Sequence, residues 1–190
     1  RGELPYKEGD SLDGKGVYEV SKSATDLIAR SYYDNYNLPV VVTRCSNLYG
    51  GNDMNFSRVI PNTIRLILNG KSPVIWKGSE EAIREFLYID DAVDAYLSLV
   101  DNIDVTKGNA YNIGSGEKIT IGELVNMIIS KINSNIDIVY KEKNFPEISH
   151  QYLDSKNIKK DVGWQSKVNI NDGLDMTIEK MKRGILKWDV

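Results

Sequence analysis

The feature that most limits what this chain can fold into is the run Pro39-Val-Val-Val-Thr-Arg-Cys45. Its β-branched residues follow one another without alternation, the pattern of a strand buried on both faces. Such strands belong to parallel sheets, whose neighbours are joined by crossovers, usually helices. The flanking sequence supplies them. Val20, Ala24, Leu27, Ile28 and Tyr32 recur at helical spacing, and Asn37-Leu38-Pro39 stops that helix. After the run, Gly50-Gly51-Asn52-Asp53 reads as a loop, and Pro61 to Asn69 as a helix with Gly70 just past its end. Short strands are predicted over Pro73–Trp76 and Arg84–Ile89. Asp90 then opens a helix with Ala92, Val93, Tyr96, Leu97 and Val100 on one face. Asn109–Ile113 and Ile136–Tyr140 read as further strands. Thr120 and Glu123 form a capping box ahead of Leu124, Ile128 and Ile132, and a last helix begins at Asn171 and runs through Leu174, Ile178 and Met181. Strands alternating with helices make the fold class α/β. Arg1 to Gly16 reads as loop.

Composition removes several functional classes. A length of 190 residues fits one or two domains. Lys and Arg number 24 against 27 Asp and Glu, a net charge of −3, so no clustered basic face points to nucleic acid or to an anionic membrane. The apolar runs fall far short of the ~20 residues that span a bilayer. The single Cys45 excludes an intramolecular disulfide and a Cys-rich zinc site and fits a reducing cytoplasm. The single His150 excludes a multi-His metal centre, and no metal site is expected. His150 itself reads as a loop residue, and Lys141-Glu142-Lys143 as solvated surface.

One spacing carries chemistry. Tyr18-Glu-Val-Ser-Lys22 places a phenol and an ammonium four residues apart, on one face of a helix. Free tyrosine has a pKa of about 10 and is a poor base at neutral pH. Lowering such a phenol to near 7 takes about 4 kcal/mol. An ammonium about 4 Å away at an effective dielectric of about 20 supplies roughly that amount. On its own the spacing is equally that of a surface Tyr and an exposed Lys. Gly114-Ser115-Gly116 follows a predicted strand but lacks a third glycine and a later acidic residue, so it is not a dinucleotide fingerprint.

The order of motifs adds more. Tyr18-x-x-x-Lys22 opens a helix that leads into a strand ending Arg44-Cys45-Ser46-Asn47-Leu48-Tyr49-Gly50. Arg84-Glu85-Phe86-Leu87-Tyr88-Ile89-Asp90-Asp91 and Tyr111-Asn112-Ile113-Gly114-Ser115-Gly116 follow, then Asp154-Ser155-Lys156, Gly163-Trp164 and Asp172-Gly173-Leu174. This series resembles the extended short-chain dehydrogenase/reductase family, in particular its nucleotide-sugar epimerases and dehydratases. Thr43–Gly50 is similar to the 4,6-dehydratase form. Ser21-Lys22-Ser23, Gly50–Arg58 and His150–Asp154 look most like CDP-glucose 4,6-dehydratase.

The resemblance implies roles. Tyr18 would be the catalytic acid/base at the sugar 4-hydroxyl while hydride passes to NAD, with NADP left open. Lys22 would support Tyr18 and hydrogen-bond the nicotinamide ribose, and Cys45 would pack near the nicotinamide. Asn47 would donate to the sugar or diphosphate, and Arg84 would pair with the diphosphate through its fork. Val59 and Trp76 would line the nucleobase pocket. Each has a plainer reading: Cys45 as a small buried apolar residue, Asn47 as a strand-end turn former, Arg84 as a surface strand cation, Val59 as a helix-start apolar residue, Trp76 as packing. Asp90 and Asp91 read as carboxylates at a helix N-terminus.

It also implies an architecture: a partial Rossmann-like, doubly wound parallel sheet plus a small α/β substrate-binding region. Residues 1–50 and 89–113 would belong to the Rossmann part, including the helix from Tyr18. Residues 51–88 and 114–190 would form the substrate region. Nothing upstream of Tyr18 supplies the family's Gly-rich cofactor turn, its Ser/Thr, or the acidic pair with which dehydratases expel the 6-hydroxyl. The chain is therefore expected to be a C-terminal portion with negligible turnover and no tight NAD binding by itself. Expected partners are a nucleotide-diphosphate sugar and a second copy, as a homodimer through the Tyr18 helix. A 4-epimerase or reductase of the same family and a non-catalytic sugar-nucleotide-binding module remain open.

Overall fold

The computed structural model describes residues 3–133, 135–143 and 148–185, so Arg1 and Gly2 of the predicted opening loop lie outside the described residues. The elements in chain order are α1 (Val17–Tyr36), β1 (Val42–Cys45), β2 (Asn47–Tyr49), α2 (Val59–Leu68), β3 (Val74–Trp76), β4 (Ile83–Arg84), β5 (Phe86–Tyr88), α3 (Ile89–Asp101) and α4 (Ile103–Thr106). They continue with β6 (Ala110–Ile113), β7 (Ile119–Thr120), α5 (Ile121–Ile132), β8 (Val139–Lys141), β9 (His150–Gln151), α6 (Lys156–Val162) and α7 (Ile170–Ile185).

Parallel pairing dominates. β1 runs beside β6, with Val42 opposite Ala110 and Cys45 opposite Ile113. β2 pairs in parallel with β5, Asn47 opposite Phe86. β3 does so with β8. β4 sits between antiparallel β7 and parallel β9. The predicted strand over Arg84–Ile89 is two short strands instead, and the break between them falls at Glu85.

Two cores hold these layers. The larger joins Ile60, Ile64 and Ile67 of α2, Leu124 and Ile128 of α5 and Leu174, Ile178 and Met181 of α7 around Tyr49, Phe86 and Tyr88. The smaller joins Leu87, Ala92, Ala95, Leu99, Tyr111 and Ile113 with Ile158 and Trp164. Local signals place the helix ends. Thr120 Oγ1 accepts the Glu123 N–H at 3.1 Å while the Glu123 carboxylate accepts the Thr120 N–H at 2.9 Å, the predicted capping box. Gly70 follows the α2 cap at φ +66°, a conformation that costs other residues a steric clash. At Gly173 the reason is space: a β-carbon there would stand 2.0 Å from the Tyr49 hydroxyl oxygen, so α7 reaches β2 only through glycine.

Two helices present their apolar faces outward. On α1 the stripe Val17, Val20, Ala24, Leu27 and Ile28 is exposed, and the residue buried against the sheet is the charged Asp26. On α3 the buried residues are Asp91, Ala92, Ala95 and Leu99, whereas Val93, Tyr96, Leu97 and Val100 are exposed. Of the apolar face read from the α3 sequence, only Ala92 turns inward.

Candidate functional site

A cavity of about 1140 Å³ runs along β1 and β2, from α1 on one side to the start of α2 and the β4–β9 pair on the other. Six of the seven residues singled out in the sequence line it: Tyr18, Lys22, Cys45, Asn47, Val59 and Arg84. Trp76 does not. It lies on β3 opposite Lys141 of β8 and is 42% exposed, away from the cavity, because β3 turns its alternate residues to the core at Ile75 and to solvent at Val74 and Trp76.

Tyr18 and Lys22 sit one turn apart on α1. The Lys22 ammonium stands over the Tyr18 ring at 5.7 Å from its centroid, within cation–π range. Tyr18 is 73% exposed, so its phenol is reachable from the cavity. A further turn along, Asp26 fixes the helix to the sheet. Its carboxylate accepts Arg44 Nε at 2.7 Å and Arg30 Nε at 2.8 Å, and Arg44 also donates to the Glu8 carbonyl at 3.0 Å. The helix start is held by Glu19, which accepts the N–H groups of Lys15 and Gly16, a carboxylate at the positive end of the helix dipole.

Opposite α1, Asn47 is held by a single acceptor. Its main-chain N–H and its Nδ2 both donate to the Glu85 carbonyl, at 3.2 and 3.0 Å. Arg84 donates to its neighbour's carbonyl at Ile83 and to the Ser149 carbonyl at 3.4 Å, which orients its guanidinium between β4 and the approach to β9. Val59 begins α2 and packs on the larger core. Cys45 is half-buried with Sγ 3.8 Å from the Tyr96 hydroxyl, which in turn accepts from Thr43. Burial pushes the Cys45 thiol up, against the opposing pull of the Tyr96 and Thr43 hydrogen bonds. Burial therefore favours the thiol over the thiolate at this position.

The cavity also gathers residues the sequence did not single out as site residues. Arg58 at the α2 cap pairs with Asp53 at 3.0 Å. Tyr96 reaches in from α3, and Tyr152, with the Lys118 ammonium 4.0 Å from its ring centroid, reaches in from the segment after β9. The charged loop Gly50–Arg58 carried a signal for Arg58. Tyr152 lay in the His150–Asp154 motif, whereas Tyr96 was read only as part of the apolar face of its helix.

The Gly114–Gly116 turn makes no phosphate cradle. Gly114 N–H donates to Ser155 Oγ at 2.9 Å and Gly116 N–H to the Glu85 carboxylate at 2.7 Å, so both amides are committed inside the protein. Among the described residues no group of three or more His, Cys, Asp or Glu gathers to hold a metal, and no helix is long and apolar enough to cross a membrane.

The profile of the family described as GDP-mannose 4,6 dehydratase matches residues 1–177. The chain is 30% identical over 187 residues to dTDP-glucose 4,6-dehydratase 1 of Escherichia coli K12, covering 93% of this chain and 50% of that protein. It is 30% identical over 189 residues to the human dTDP-D-glucose 4,6-dehydratase, covering 96% and 53%. Among solved structures it superposes on the Bacillus anthracis dTDP-glucose 4,6-dehydratase, determined in complex with NAD, with a TM-score of 0.84 at 27% identity, over 96% of this chain and 57% of that one. The chain thus spans about half the length of the relatives it matches.

Proposed function

The chain belongs to the GDP-mannose 4,6-dehydratase family of extended short-chain dehydrogenases/reductases, and from that premise we propose that it forms the substrate side of an NAD-dependent nucleotide-sugar 4,6-dehydratase. The observation that carries this reading is one cavity lined by a proton-transfer pair, Tyr18 and Lys22, and by the anion- and sugar-binding groups Arg84 and Asn47.

The donor set fits the nicotinamide end of a dinucleotide. A cation and a phenol on one helix face meet a half-buried thiol at the carboxyl end of a parallel strand, the end where open α/β sheets take their ligands. The Gly114–Gly116 turn does not fit the pyrophosphate, because its amides are used inside the protein. NAD, or NADP, supplies a hydride acceptor for sugar C4. Tyr18 Oη takes the 4-hydroxyl proton as that hydride leaves. Lys22 would support Tyr18 as the base by its charge and would donate to the nicotinamide ribose. Arg84 meets the diphosphate with two parallel N–H donors, and Asn47 donates to the sugar or diphosphate. Val59 borders the nucleobase end, and Cys45 packs beside the nicotinamide.

Residues 1–50 and 89–113 act as the cofactor-side layer and the remainder as the substrate layer. The exposed α1 stripe from Val17 to Ile28 supports a homodimer through that helix, since a monomer gains nothing by exposing it. The reaction is assigned to the cytoplasm.

The experiment incubates the protein as encoded with NAD+ and, separately, CDP-glucose, dTDP-glucose and UDP-glucose. The sequence likeness favours CDP-glucose, and the relatives named above carry dTDP-glucose in their names. A 4-keto-6-deoxy product from any of the three supports a dehydratase. A C4-inverted sugar makes it an epimerase, and no change in any sugar refutes the enzymatic reading.

A further inference from the structure

We propose that Glu85, which does not line the cavity, positions Asn47 and Arg84 for the diphosphate by tying the β4–β5 junction to the turns after β6 and β9. The inference rests on the nucleotide-sugar reading above and assigns that site a positioning residue.

Arg84 and Phe86 line the cavity, and the residue between them turns the other way, as alternation along an extended segment requires. Glu85 is only 1% exposed. A buried carboxylate is costly unless its oxygens find donors. Here both do. One oxygen accepts the Gly116 N–H at 2.7 Å and the other the Leu153 N–H at 2.9 Å. The first bond reaches the turn after β6, and the second reaches the segment after β9, where Tyr152 and Leu153 form the cavity's far wall. The carboxylate is fitted tightly: a β-carbon on Gly114 would stand 2.3 Å from Glu85 Oε1. The main chain of the same residue completes the arrangement, because its carbonyl takes both the N–H and the Nδ2 of Asn47.

One residue thus sets Asn47 through its carbonyl, Arg84 through the chain, and the Tyr152–Leu153 wall through its carboxylate. Chemistry explains why the residue is Glu. The groups facing its oxygens are donors, so an acceptor-only carboxylate satisfies both, whereas an amide turns an N–H₂ toward one of them. Aspartate keeps the charge but reaches only one turn at a time. Burial pushes the Glu85 carboxyl up, and the Gly116 and Leu153 N–H bonds, the Lys118 charge and the Ser115 N–H act in the other direction.

Steady-state kinetics on the protein as encoded, with the nucleotide-glucose it turns over, tests the inference. Glu85→Gln and Gly114→Ala should each raise KM about tenfold or more with kcat within about twofold, the signature of lost uniform binding. Glu85→Asp should fall between wild type and Glu85→Gln. Gly114→Ala presses on the same carboxylate without altering any cavity residue, so agreement between it and Glu85→Gln assigns the effect to the carboxylate. Unchanged KM in both variants overturns the inference. So does a loss of thermal stability in both with no KM effect, or failure of both to fold, since Glu85 is then fold support alone. A wild type that turns over no nucleotide sugar refutes the functional reading itself and the inference with it, whereas an active wild type with unmoved variants refutes only the inference.

Discussion

Arg44 Nε donates to the Asp26 carboxylate at 2.7 Å, and this bond ties the helix that carries Tyr18 and Lys22 to the strand that ends at Cys45. Both side chains are largely removed from water. Removing one partner of such a pair strands the other, at a cost of about 3 kcal/mol. Asp26→Ala should therefore lower the urea-unfolding free energy by about that amount. Arg44→Lys should also destabilise, because an ammonium lacks the fork that reaches Asp26 and the Glu8 carbonyl together. Wild-type stability in Asp26→Ala would remove this anchor from the account of the site.

The outward stripe on α1 predicts self-association. Sedimentation at high concentration should give a dimer, and the double variant Leu27→Glu, Ile28→Glu should shift it to monomer, since paired carboxylates cannot be buried across an interface without partners. A wild type that remains monomeric at high concentration counts against the assigned interface.

Alkaline pH provides a test on the sheet. Burial first, then the hydrogen bond to Asp161 and its charge, push the Tyr111 phenol up to about 12 from an ordinary 10.0. The native state thus holds this proton longer than the unfolded chain does. The contribution is fully present below pH 10, and it is lost as pH rises toward 12. Tyr111→Phe should be less stable than wild type at neutral pH, and the gap should narrow across that alkaline window. A gap constant from neutral to strongly alkaline pH would contradict the placement of the proton.

Close approach at Gly173 predicts a coupled pair. Gly173→Ala should destabilise by about 1–3 kcal/mol, the usual range for overpacking. The β-carbon meets the Tyr49 hydroxyl oxygen first, so Tyr49→Phe in the same chain should recover part of the loss. A double-mutant cycle measures the coupling, and strict additivity would show that α7 shifts freely instead.

Local chemistry was legible in the sequence; orientation was less so. The Thr120–Glu123 box and the Gly70 helix end each depend on neighbours a few residues apart, and each appears where it was expected. The run to Cys45 forms the expected parallel strand, but it is only half-buried and not buried on both faces, because β6 is the one strand that pairs with it among the described residues. The strands β7 and β9 are two residues each, too short to carry a period. The inward face of α1 was misleading for a different reason. Periodicity ranks faces by apolarity, but this helix is seated by an ion pair between residues 18 positions apart, and its apolar stripe is left on the surface. In the site, the Tyr18–Lys22 spacing was readable because both residues share a helix, and Asn47 and Arg84 because each lies in a contiguous motif. Tyr96 enters from an element remote in sequence, and the exposure of Trp76 depends on which edge of β3 faces the core.

The central claim is that Tyr18 moves the 4-hydroxyl proton of a nucleotide-bound sugar in this cavity. Its most direct test compares Tyr18→Phe with wild type in the protein as encoded, measuring both turnover of the active nucleotide-glucose and its binding. The account predicts turnover lower by about 10²–10⁴-fold, the usual contribution of a positioned acid/base, with binding nearly unchanged. Turnover equal to wild type in Tyr18→Phe would contradict it.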